Sequence, residues 1–512
     1  MAENKANGNS NELPVLKATA LEPPKKKTGR GHIRAMVLIG VHVIILIHIS
    51  HYLMSGRTVS PVEPSEAMYT IELGKVNAGA IFFAAAILST AVFGRFFCGW
   101  ACHIVALQDL CSYLLRKIGI KPKPLRSRLL IVVPFVVAFY MFMWPTVYRL
   151  WIGSHHPGFS NHLLTVTFWK TFPGPVISVL TFLVCGGLIV YLLGNKGFCT
   201  YGCPYGAFFS VADRVAAGRI RVTDACHQCG QCTAHCTSNV MVNLEVKEFG
   251  MVVDPGCMKC MDCVSVCPND ALYFGLTAKK GFENIPQIAQ EKAAEKPKRK
   301  KTYDFTLGEE LFGLALVVFV LYSLRGLYDL MPLLLSTALA VITAYLVIQF
   351  ARMLRKRDLR LQNFRLKKEH KFTKAGIALA LITFVWLGFT IHSFLVQYNR
   401  YGGRAHLTQV PVTWQQLIDG TQMEGFTDDH RSHLEKAITN FERSDKLGFK
   451  DVLEVKLGLT VAHMMSGEVD TAESYLREAY EVNPDVVREM LMEFLASQDR
   501  HVEAEEFLRS NL

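Results

Sequence analysis

Residues 226 to 268 decide the reading: Cys226-His-Gln-Cys229-Gly-Gln-Cys232-Thr-Ala-His-Cys236, and then Cys257-Met-Lys-Cys260-Met-Asp-Cys263-Val-Ser-Val-Cys267-Pro268. Thiols spaced x2, x2, x3 suit a cubane [4Fe–4S] centre, because three on one tight loop reach three irons and a distant cysteine meets the fourth. That crossing predicts one cluster on Cys226, Cys229, Cys232 and Cys267, and another on Cys257, Cys260, Cys263 and Cys236. Structural zinc also uses Cys-x2-Cys pairs, but it takes four ligands per site and rarely this order of spacings. The first half departs from the pattern at Thr237, where the second half has Pro268.

All 14 cysteines fall between Cys98 and Cys267, a concentration that a disulfide scaffold would not show. Outside the two runs, Cys98-Gly-Trp-Ala-Cys102 and Cys199-Thr-Tyr-Gly-Cys203-Pro204 each follow an apolar stretch. Residues four apart share a helix face, so each pair could present two thiols and the two pairs could form one four-thiolate site. Three readings stay open: a third metal or cluster, a redox-active thiol pair, or packing cysteines. His103 follows Cys102 and is an added ligand or an interfacial histidine. Lone Cys111 and Cys185 read as structural.

Half of the 512 residues are apolar, only 19% are charged and mean hydropathy is +0.22, a composition of membrane proteins. Runs long enough to cross about 30 Å of hydrocarbon lie at Ile33–Met54, Val76–Phe97, Leu129–Leu150, Pro175–Leu193, Leu311–Leu330, Leu333–Met353 and Ala375–Val396, about seven spans. Arg325 and Asp329 weaken the end of the fifth. The first run follows a polar, basic start and reads as a retained span rather than a signal peptide.

The net charge of +11 could suggest nucleic acid. Lys and Arg concentrate instead in the N-terminal tail, Arg116–Arg128, Lys279–Lys301 and Arg352–Lys374, which alternate with loops poor in them. This is the positive-inside pattern, so the excess marks cytoplasmic loops and nucleic acid is excluded. It predicts a cytoplasmic N-terminus and Cys-rich lobe, with the C-terminus on the opposite, periplasmic side.

The expected fold class is an α-helical integral membrane protein carrying a cytoplasmic dicluster α+β domain and a C-terminal all-α repeat-like domain. The expected divisions are a basic tail to residue 32, a four-span domain 33–198, a Cys-rich segment 199–280, a charged linker 281–306, three spans 307–397 and a helical domain 398–512. In the last, Leu459, Gly467, Ala472, Leu476, Ala479 and Pro484 fall at offsets like a tetratricopeptide repeat, with a partial match at Ala504 and Phe507–Leu508. An unrelated helical bundle is the alternative.

Histidines in apolar runs can carry haem. His42, His48 and His51 on the first run and His392 on the seventh show no facing pair, so a haem is not expected. His155, His156 and His162 could bind copper or take a proton from quinol, although loop histidines are usually just solvated.

Paired Cys-x3-Cys(-Pro) motifs after apolar runs, followed by two cysteine runs of bacterial ferredoxin type, resemble the membrane-bound polyferredoxin family that includes NapH, NosR and CcoG. The resemblance covers roughly residues 33 to 280. His103 departs from it, standing where the family's first motif has proline. The resemblance implies an electron carrier of the bacterial inner membrane with two [4Fe–4S] clusters, working with the quinone pool or a redox partner protein. Two alternatives accompany it: a copper reductase or assembly factor for a respiratory enzyme, and an anchored protein that docks a periplasmic partner through its helical domain. No bond-making catalysis is expected, an electron carrier being favoured over an enzyme with its own substrate.

Overall fold

The computed structural model describes residues 29–151, 153, 156, 158–168, 174–276, 303–410, 413–418 and 427–503. The N-terminal tail, the Lys279–Lys301 linker, His155 and the repeat positions Ala504, Phe507 and Leu508 lie outside these residues. Two compact units result, one of Met1–Phe172 with Gly186–Phe305 and one of Pro173–Cys185 with Thr306–Leu512.

Among the described residues, six helices are long and apolar enough to cross a membrane: α1 (Gly29–Ser55), α4 (Leu130–Trp151), α5 (Pro175–Leu193), α7 (Leu307–Leu324), α8 (Leu333–Arg355) and α9 (Lys374–Leu407). The protein is a membrane protein of mainly helical build. The second expected run differs: α2 (Ala78–Phe93) has 16 residues, about 24 Å at 1.5 Å per residue, because Gly94 at φ 75° ends it. The fifth run ends at Leu324, since Arg325 leaves helical geometry at ψ 115°.

In the first unit, two further helices, α3 (His103–Lys117) and α6 (Pro204–Val215), follow the two Cys-x3-Cys motifs, and α6 packs along α2. A two-stranded antiparallel sheet, β1 (Gly218–Val222) with β2 (Leu272–Leu276), then closes the cysteine-rich lobe, pairing Gly218 with Leu276 and Val222 with Leu272. Its core is small and aliphatic: Ile220, Val222, Val240, Val252, Val264 and Leu272 are buried beside the cysteines.

The lobe repeats itself. Gln228 and Lys259, Gly230 and Met261, and Asn239 and Asp270 all take positive φ at matching places, and the short helices Gln231–Ala234 and Asp262–Ser265 correspond. Left-handed residues at fixed places turn each cysteine loop around a common centre, and non-glycine side chains are held there only by surrounding packing.

In the second unit, α7 and α8 form a hairpin, tied where Arg352 clamps Glu309 with bonds of 2.7 and 2.6 Å. A small antiparallel sheet, β3 (Leu359–Leu361), β4 (Phe364–Lys368) and β5 (Lys371–Phe372), joins α8 to α9. The 34-residue α9 runs unbroken into a helical domain of α10 (Asp428–Leu447), α11 (Leu453–Met465), α12 (Val469–Val482) and α13 (Pro484–Ser497). Leu459, Ala472, Leu476 and Ala479 are fully buried, Gly467 turns between helices at φ 79°, and Pro484 opens α13.

Candidate functional site

The eight cysteines of the lobe gather in two sets. One cavity is lined by Cys226, Cys229, Cys232 and, from the other half, Cys267. Cys257, Cys260 and Cys263 group with Cys236, near enough that each bears on another's ionisation. Burial, with the neighbouring thiols, pushes Cys232 up to about 11 and Cys236 up to about 12.

Hydrogen bonds already aim at these sulfurs. Gln228 Nε2 donates to Cys226 Sγ at 3.5 Å and the Ala271 amide to Cys267 Sγ at 3.3 Å. Thr237, in the place of the usual proline, lies with its hydroxyl 3.9 Å from Cys260 Sγ and donates to Asp262 Oδ2 at 3.2 Å.

Cys98, Cys102 and Cys199 share one buried cluster, and Cys203 feels the charge of all three. The helix-face expectation is corrected in detail. Cys98 sits in the short helix Phe96–Trp100 and Cys199 in Gly197–Tyr201, whereas Cys102 and Cys203 are extended N-caps of α3 and α6. Pro204 accounts for the break in the second motif, since proline is tolerated at a first helical position but not inside a helix. Burial, then Cys199 and Cys98, pushes the Cys102 thiol up to about 12.

Two cations attend this site. Arg95 is buried against Cys98, donates from Nη1 to Pro255 O at 3.0 Å, and keeps a buried Nε without a partner. Burial opposes its charge, yet Cys98, Cys199 and Cys203 outweigh that and hold the guanidinium above its ordinary value. Lys196 is buried and ion-paired with Asp109, which also pairs with Arg34. Gln108 Nε2 donates to Cys199 Sγ at 3.0 Å.

Removing a buried cation from water costs several kcal/mol unless an anion compensates. Four thiolates around a [4Fe–4S] core supply that negative charge, and so would four thiolates on zinc. Spacing separates the two. Zinc draws thiolates to about 3.8 Å of one another at Zn–S of about 2.3 Å, whereas a cubane holds them at about 6–7 Å. Among the described residues, no three cysteines have sulfurs within 4.8 Å; the one group that tight is Asp445, Asp451 and Glu478, with Lys456 between them. Four buried thiols beside two buried cations are a donor set that a thiolate-held metal centre fits. None of the cysteines is in a disulfide.

The first motif touches the second cluster loop directly. A Cβ on Gly99 would lie 2.1 Å from Met258 O, Trp100 Nε1 donates to Lys259 O at 3.0 Å, and Arg34 Nε donates to Gly99 O at 2.8 Å. Arg34 also approaches Asp262 at 3.6 Å, beside Cys263. Away from the lobe, Phe83, Phe142, Tyr205, Phe208 and Phe209 form an aromatic cluster, mostly edge to face, that packs with Cys98, Cys102 and Cys199.

The histidines are otherwise engaged. His42 meets Leu38 O, His48 meets Val59 O, His51 meets Thr58, and His392 meets Leu447 O and stacks on Phe449. His103 is the first residue of α3, and burial pushes its pKa down. His156 packs against Phe159 with the rings tilted.

Arg95, Gln108, Asp213 and Lys259 were not evident from spacing. One signal was available: Arg95 and Lys196 stand at the same offset before Cys98 and Cys199.

Comparison with known proteins matches residues 78–121 and 176–223 to a family described as 4Fe-4S binding domain, and residues 225–272 to one described as 4Fe-4S dicluster domain. An uncharacterized protein of Methanocaldococcus jannaschii is 25% identical over 208 residues, covering 38% of this chain and 77% of its own. The methylamine utilization ferredoxin-type protein MauN of Methylobacillus flagellatus is 26% identical over 202 residues (38% and 67%). The ferredoxin-type protein NapH of Escherichia coli is 24% identical over 226 residues (42% and 74%). No solved structure matches. The chain is thus an iron–sulfur protein whose matched regions are a 4Fe–4S binding domain and a 4Fe–4S dicluster domain.

Proposed function

We propose that this membrane iron–sulfur electron-transfer protein carries three redox centres in file: one on Cys226, Cys229, Cys232 and Cys267, one on Cys257, Cys260, Cys263 and Cys236, and one on Cys98, Cys102, Cys199 and Cys203. Electrons pass between a cytoplasmic or quinone donor and a respiratory partner. A [4Fe–4S] cluster, when bound, supplies a one-electron couple. The chain's own residues do the rest: Gly99 lets two cysteine loops touch, Trp100 and Arg34 clamp them, and Arg95 and Gln108 favour added negative charge at the inner site. In this reading the protein sits in a bacterial inner membrane with the lobe cytoplasmic and the helical domain periplasmic, as the distribution of Lys and Arg supports.

The observation that carries the reading is Arg95, a buried guanidinium with an unpartnered Nε set among three thiols. Iron and acid-labile sulfide analysis with EPR on anaerobically purified protein tests it. About twelve irons per chain are expected, falling to about eight in Cys98→Ala/Cys199→Ala. An unchanged iron content would remove the inner centre.

The unbroken helix from span to helical domain favours a second reading, in which the membrane part anchors a docking module. Biological function retained in Cys260→Ala would support it against electron transfer.

A further inference from the structure

Among the described residues outside the redox site, the small sheet between α8 and α9 carries a dense patch of positive charge. Arg355, Lys356, Arg357, Arg360, Arg365, Lys368, Lys371 and Lys374 are exposed there, against exposed Asp358 and Glu369. Of the two carboxylates, Glu369 is already engaged by Lys368 at 3.9 Å.

This sheet is no loose loop. Lys367 is buried and donates from Nζ to Met353 O at 2.9 Å and Leu354 O at 3.3 Å, so a cation caps the last carbonyls of α8. On the other side Thr373 caps α9, and a Cβ on Gly376 would lie 2.1 Å from Leu366 O. The sheet is therefore held against the ends of two spans, at the depth where lipid headgroups lie.

Exposed Phe364, Phe372 and Leu354 are interspersed with the cations. A site for an acidic soluble protein needs the cations alone; aromatic and aliphatic side chains beside them suit the interface, where headgroup phosphates and upper acyl chains meet both. We infer that the β3–β5 sheet is a binding site for anionic phospholipid headgroups of the surrounding bilayer, with Arg360, Arg365, Lys368 and Lys371 meeting phosphate and Phe364 and Phe372 resting at the acyl boundary.

The test compares full-length protein in nanodiscs of phosphatidylcholine alone and of phosphatidylcholine with phosphatidylglycerol. Expected is a higher unfolding temperature in the anionic discs at about 0.1 M salt, lost at about 1 M salt where screening is complete within about 3 Å. The variant R360Q/R365Q/K368Q/K371Q should unfold like the wild type in neutral discs but show no anionic gain. Native mass spectrometry of the wild type should show retained phosphatidylglycerol over phosphatidylcholine by about tenfold at low salt, a measurement that needs no variant. Equal retention of the two lipids, or an anionic gain undiminished in the variant, overturns the inference. So does salt-sensitive capture of an acidic soluble protein without lipid preference.

Discussion

Lys259 Nζ lies 2.7 Å from Asp213 Oδ1, and both side chains are wholly shielded from solvent. Asp213 also accepts from the Arg95 amide at 2.9 Å and from Arg219 Nη1 at 3.1 Å. One carboxylate thus joins the Cys257–Cys260 loop, the turn before Cys98, the helix after Cys203 and the first strand of the lobe. The relation between the cluster loops depends on it.

Lys259→Met should therefore destabilise the lobe strongly, because removing one partner of a buried pair costs about 3–5 kcal/mol. Thermal unfolding should shift down, with loss of about four irons per chain. In a double-mutant cycle, Lys259→Met with Asp213→Asn should cost less than the two single changes together.

Gly99→Ala forces apart two backbones, since its Cβ would sit 2.1 Å from Met258 O, closer than any real contact. Iron content should be kept while magnetic coupling between reduced centres weakens. EPR of the fully reduced variant checks this; a spectrum identical to wild type would contradict the direct contact of the loops.

Gln108→Leu removes the 3.0 Å bond to Cys199 Sγ. An N–H aimed at sulfur favours the more electron-rich reduced state, so the inner centre's potential should fall. A bond of about 1 kcal/mol corresponds to about 40 mV for one electron. Redox titration followed by EPR measures the shift, with the other two centres unmoved.

Glu66 is buried in the segment between α1 and α2, and burial, then Glu63, raises its carboxyl to about 7. Below about pH 4.5 it is protonated folded or unfolded and contributes nothing. As pH rises further the unfolded chain ionises first, so stability falls and levels off above about 7. Glu66→Gln should then stabilise by about 1–3 kcal/mol at pH 8 and by nothing at pH 4.5. Melting temperatures at the two pH values decide it.

Phe441 is gripped between Gly403 of α9 and Gly458 of α11, where added Cβ atoms would lie 2.6 Å from its ring. Phe441→Ala should cost the helical domain about 3–5 kcal/mol. Limited proteolysis should then cut beyond residue 410 while the spans stay intact.

Legibility in the sequence followed the range of the interaction. The internal repeat of the lobe was readable because cluster-loop spacing is local; positive φ at Gln228 and Lys259 is that repeat in the backbone. The apolar runs were readable because a bilayer demands length and composition. Their ends were less so: α2 stops at Gly94 and α7 at Leu324 because of single residues whose backbone angles no average hydropathy reports.

By itself, then, the sequence determined an apolar helical protein with two cubane-spaced thiol sets and two thiol pairs of undecided use. Only the tertiary structure decided that those pairs meet, that Arg95 lies buried among them with its Nε unpartnered, and that Gly99 abuts the Met258 loop. Gln108 and Cys199, 91 residues apart, become partners only when α3 and the short helix Gly197–Tyr201 pack together. The physical reason is that spacing encodes what one loop can reach, whereas burial of a charge and the approach of two backbones are settled by packing between distant segments.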